Sequence, residues 1–66
     1  MTTYEAVEII EGFGIGEDAT REQTIAAWQN LIDSGVVWEL QGKYGRGAVY
    51  LIEQGICKPW PRKIKP

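Results

Sequence analysis

The chain has 66 residues, a net charge of −2, a single Cys and no His. That length allows one domain close to the lower size limit for unaided folding, since a chain this small buries only about 60% of its unfolded surface. One Cys without His excludes an internal disulfide and the usual zinc ligand sets, so a core rich in aromatics or a partner chain must supply the stability. Three Trp, three Tyr and one Phe are available for such a core.

The first element starts at Thr2, where Glu5 three residues on completes the form of a capping box. Tyr4, Ala6, Val7, Ile9, Ile10 and Phe13 then recur at helical spacing, with Glu5, Glu8 and Glu11 on the other face. The pattern predicts a helix over about 3–12 with a solvated acidic side, stopped by Gly12. The loop Gly12-Phe13-Gly14-Ile15-Gly16-Glu17-Asp18 alternates Gly with apolar residues. A phosphate cradle is disfavoured there. The loop follows a helix, lacks Gly-Lys-Ser/Thr and carries two acids. Phe13 and Ile15 are expected instead to drop into the core.

Thr20 and Gln23 form a second capping box ahead of Ile25, Ala26, Trp28, Leu31 and Ile32. A helix over about 21–34 follows, and its wide apolar stripe makes it the central element. Leu31-Ile32-Asp33-Ser34-Gly35-Val36 is echoed by Leu51-Ile52-Glu53-Gln54-Gly55-Ile56. Each phrase reads as a helix end closed by a left-handed Gly. Between them Val36, Trp38 and Leu40 alternate with Val37, Glu39 and Gln41, which predicts an extended joint at 36–41. A third helix over about 43–54 opens on Gly42-Lys43-Tyr44-Gly45-Arg46-Gly47. Its two inner glycines cost about 1 kcal/mol each against Ala. Either they let this helix close on the second near Trp28, or the backbone there meets a partner.

Beyond residue 57 the chain turns basic and Pro-rich, with Trp60 between two prolines and Arg62, Lys63 and Lys65 after it. Three Pro forbid a regular helix in this stretch. The chain therefore divides into a three-helix domain at 1–57 and a tail at 58–66. Charge divides it too: residues 1–39 carry eight acids and one base, whereas residues 40–66 carry six bases and one acid. Such polarity favours attraction within the molecule, between molecules, or to a bipolar partner surface.

Chemistry finds little to work with. Ser34 is the only Ser, Cys57 has no His to activate it, and no acid–base–nucleophile set emerges, so no catalytic residue, cofactor or metal is expected. The N-terminus lacks the features of a signal peptide, and the longest apolar run, residues 48–52, is far short of the ~20 residues that cross a bilayer. A cytoplasmic location without a membrane partner is expected.

The pattern Ala27-Trp28-Gln29-x-Leu31-Ile32-Asp33-x-Gly35-x-Val37-Trp38-x-Leu40-Gln41-Gly42-x-Tyr44-Gly45-Arg46, followed by Ala48 and Leu51-Ile52-Glu53-x-Gly55-x-Cys57, resembles a family of small phage-encoded proteins. The resemblance covers most of the chain apart from the tail. It implies a viral accessory protein at work in the cytoplasm of a bacterial host, and it carries no functional residues.

The sequence thus leads to an all-α, three-helix domain. Its expected core is Val7, Ile10, Phe13, Ile25, Trp28, Leu31, Ile32, Trp38, Leu40, Ala48, Leu51 and Ile52. The expected function is protein binding, to a host or viral protein or to a second copy as a homodimer. Lys43, Tyr44 and Arg46 at the head of the third helix and Trp60, Arg62 and Lys63 in the tail are the candidate contacts. The alternative is a helix-turn-helix-like nucleic-acid binder using Lys43, Arg46 and the basic tail. A sequence pI of about 4.9 and a long connection between the helices weigh against it.

Overall fold

The structure, a computed structural model, describes residues 1–59. Three helices, α1 (Thr3–Glu11), α2 (Arg21–Ser34) and α3 (Gly42–Glu53), follow one another in chain order. Single turns of 3-10 helix lie between them, at Gly14–Gly16 and Val36–Glu39, and the described residues contain no strand. The domain is all-α.

Both capping boxes form. Glu5 N–H donates to Thr2 Oγ1 at 3.1 Å, and the Glu5 carboxylate accepts Thr2 N–H at 2.9 Å. Thr20 and Gln23 repeat the exchange at 3.1 and 2.8 Å. Each box satisfies two donors that a helix start leaves free, which fixes where α1 and α2 begin.

The two echoed helix ends close differently. After α3, Gly55 has φ +75°, Ile56 N–H donates to Leu51 C=O at 2.9 Å, and Gly55 N–H donates to Ile52 C=O at 3.0 Å. This is the complete Schellman pair. After α2, Gly35 has φ +80° and makes the inner bond to Ile32 C=O at 3.0 Å. The outer bond passes through a side chain instead. Ser34 Oγ donates to Leu31 C=O at 3.1 Å and accepts Val36 N–H at 3.3 Å. The hydroxyl holds the two backbone groups apart, and the chain leaves α2 into a 3-10 turn.

That turn corrects the expected extended joint. Trp38 N–H donates to Gly35 C=O at 3.3 Å, and only Leu40 and Gln41 have extended backbone. An extended segment with no partner strand would leave its backbone groups unpaired, whereas a 3-10 turn pairs them locally. The change of period also changes the inward residue. With three residues per turn Val37 and Leu40 share a face: Val37 is fully buried and Leu40 packs on the core. Trp38, expected inside, is 42% exposed.

The fully buried centre is small: Ala6, Ala27, Leu31, Ile32, Val37 and Ala48, joined by nearly buried Tyr44 and Cys57. Val7, Ile10, Ile25, Trp28, Leu40, Leu51 and Ile52 pack around it as expected core residues, partly buried. Phe13 is a second correction at 50% exposure, and Ile15 is exposed as well. The loop packs through its backbone instead. A Cβ on Gly16 would stand 2.2 Å from Glu8 C=O and 2.5 Å from Ile9 Cα, so the chain lies directly on the end of α1.

The backbones of α1 and α2 lie against each other, while α3 meets them chiefly through side chains. The Trp28 ring fills the space beside Gly47, where a Cβ would come within 2.6 Å of the indole Cη2. The Trp28 side chain, rather than a neighbouring helix backbone, explains this glycine. It does not explain Gly45, whose Cβ would meet only Trp38 at 3.8 Å. Past α3, Cys57 is buried with its Sγ 3.9 Å from Ile25 C=O, and burial followed by the Asp33 charge pushes its thiol pKa up. The Gln29 amide then grips the Lys58 backbone, accepting its N–H at 2.8 Å and donating to its C=O at 3.0 Å.

The two inner glycines are therefore expected to respond oppositely. Gly47→Ala should destabilise the domain by about 1–3 kcal/mol through overpacking against Trp28. Gly45→Ala should stabilise it by roughly 0.5–1 kcal/mol through helix propensity. Ser34→Ala should cost about 1 kcal/mol by opening the bridged helix end. Urea unfolding of the three variants checks all three values.

Candidate functional site

The head of α3 carries the predicted residues Lys43, Tyr44 and Arg46, and the fold separates them. Tyr44, expected as a partner contact, is buried in the domain. Its ring lies 6.0 Å from that of Trp28 at 47°, in a tilted aromatic pair. Its hydroxyl donates a hydrogen bond to Glu11 Oε2. Lys43 Nζ reaches the same oxygen at 3.0 Å and stands 5.4 Å from the Tyr44 ring centre.

These three side chains clasp the end of α1 to the start of α3. A carboxylate in the last turn of α1 opposes the helix dipole, and the Lys43 charge offsets that. The Tyr44 hydrogen bond, with Lys43 adding to it, holds the Glu11 carboxyl below its usual pKa. Burial, reinforced by Glu11, pushes the Tyr44 hydroxyl up to about 12. The acidic side of α1 is thus more than solvated surface. Glu5 caps its own helix, Glu8 accepts Ile15 N–H at 3.3 Å, and Glu11 holds α3. Attraction between the acidic and basic halves of one molecule, one of the readings of the charge polarity, is realised in the Glu11–Lys43 bond.

Arg46 faces the other way. It lines an open groove of about 570 Å³ along the outer side of α3, with Trp38, Gly45, Val49, Tyr50 and Glu53. Trp38, Val49 and Tyr50 are 42%, 44% and 59% exposed, and Val49 and Tyr50 lie on the last two turns of the helix between a cation and an anion. Trp38, Val49, Tyr50 and Glu53 were not foreseen as site residues. Their signal was present in the sequence: positions 42, 45, 46, 49, 50 and 53 recur at helical spacing opposite the buried stripe of 44, 48, 51 and 52. Trp60, Arg62 and Lys63 lie outside the described residues.

Among the described residues no group of His, Cys, Asp and Glu is placed to hold a metal ion. No helix in that range is long and apolar enough to cross a membrane.

Fold and surface together define a small all-α domain with a tightly clasped inner side and an apolar groove on its third helix. The chain belongs to the family described as "Domain of unknown function (DUF7417)", which it matches over residues 3–63. Neither the curated proteins nor the solved structures give a match.

The Tyr44 clasp has a measurable pH signature. The folded chain keeps this hydroxyl protonated up to about pH 12, while the unfolded chain ionises it near the ordinary value of 10. Stability from Tyr44 is therefore complete below pH 10 and is lost as pH rises through about 12. Melting temperature should fall across that window in the native chain and fall less steeply in Tyr44→Phe, with tyrosinate absorbance reporting the late-titrating ring.

Proposed function

We propose that this protein is a non-enzymatic protein-interaction module whose binding surface is the groove on the outer side of α3. Extending the family resemblance of its sequence, we place it as a phage accessory protein that acts on a host protein in the bacterial cytoplasm. One observation carries the choice of surface. Three large apolar side chains, Trp38, Val49 and Tyr50, stand exposed along one groove, edged by Arg46 and Glu53. Aromatic residues and Arg are the types enriched where proteins bind one another, and a contiguous apolar patch with a charged rim marks such a site.

The charge distribution supports protein rather than nucleic acid as the partner. The full chain holds nine acids and seven bases, a balance of −2, whereas a nucleic-acid-binding domain is typically basic. Of the two cations at the head of α3, Lys43 is engaged by Glu11, and Tyr44 beside it is turned inward. A reading helix needs several side chains free to reach base edges.

Capture from bacterial lysate with the full chain as bait tests the proposal. The expected catch is a protein that survives nuclease treatment and is lost on Tyr50→Ala, since truncating an interface aromatic commonly costs 2 kcal/mol or more, roughly thirtyfold in affinity. A catch that disappears with nuclease, or one indifferent to Tyr50→Ala, overturns the assignment.

A further inference from the structure

We infer that the outer face of α3 is self-complementary and pairs antiparallel with the same face of a second copy of this chain, about a two-fold axis near Val49 and Tyr50. The inference rests on the proposed function only in taking this groove as a binding surface, which a second copy covers in the free chain and a partner protein competes for.

Charge placement is the first support. Arg46 and Glu53 lie two helical turns apart on one face, with Val49 and Tyr50 between them. Seven residues separate them along the helix, about 10 Å, too far for a direct ion pair within the chain. The salt bridge formed among the described residues is Lys43–Glu11, and it involves neither of them. Turning a second α3 end for end over the first puts Arg46 of each copy opposite Glu53 of the other. Two ion pairs then form at the ends of one apolar strip. A two-fold contact requires such a self-complementary surface.

Core size is the second support. The largest fully buried side chains are only Leu31, Ile32 and Val37, while Trp38, Val49 and Tyr50 remain in solvent. Small domains without a disulfide or metal commonly complete their burial by association.

Sedimentation equilibrium of the full chain across a concentration series tests the pairing, with circular dichroism confirming that each variant is folded. The native chain should shift from monomer to dimer mass. Arg46→Glu and Glu53→Arg should each weaken association by about tenfold or more, because each reversal places like charges together twice. Mixing the two single variants, or combining both changes in one chain, should restore association to within about threefold of the native value. A monomer at every concentration overturns the inference, and so does a failure of the mixture to recover. Capture of a partner protein by a chain that stays monomeric would refute only the pairing. A dimer that captures nothing would refute only the proposed function.

Discussion

The position of α3 depends on one contact, the Trp28 ring lying over Gly47. α1 and α2 are joined backbone to backbone, but α3 has to be fastened by side chains, and this indole is the largest of them. The ring also backs Tyr44, whose hydroxyl reaches α1 through Glu11. One aromatic residue on α2 therefore sets both the depth of α3 and the orientation of its first turn. Burying 44 and 48 on that side leaves 46, 49, 50 and 53 facing outward. The groove is the geometric remainder of the inner packing.

Where the sequence speaks through local chemistry, it is followed closely. Thr2 with Glu5, Thr20 with Gln23, and the glycines at 35 and 55 act through bonds spanning a few residues, and the helix boundaries they imply agree with the structure to within a residue or so. The segment from Val36 to Gln41 reads as extended because Val36, Trp38 and Leu40 alternate with Val37, Glu39 and Gln41, yet the apolar pair Val37 and Leu40 equally suits the three-residue period of a 3-10 turn. With no partner strand among the described residues, the turn pairs the backbone groups locally. Phe13 and Ile15 were misplaced for a related reason: apolar residues flanking glycines look like core until the backbone itself takes the space. Tyr44 stood next to two cations and looked like surface, whereas its partner Glu11 is 33 positions away in sequence. The groove was present as a second stripe on α3, hidden because the first stripe already accounted for a helix.

The net charge of −2 conceals a division of labour among the acids. Those on α1 are used inside the molecule, as a cap, a loop anchor and a clasp. Glu53 is left on the opposite surface with Arg46. The same residue type thus serves cohesion on one side and a potential contact on the other, and only the three-dimensional arrangement separates the two uses.

Cys57 gives the fold a reporter of its own. Its thiol sits under the turn that follows α3, sealed against α2 next to the Lys58 backbone that Gln29 grips. A thiol-specific reagent cannot reach it until that turn lifts away. The rate of labelling at this one sulfur consequently measures how often the carboxyl-terminal end of the domain detaches, without any probe having to be introduced.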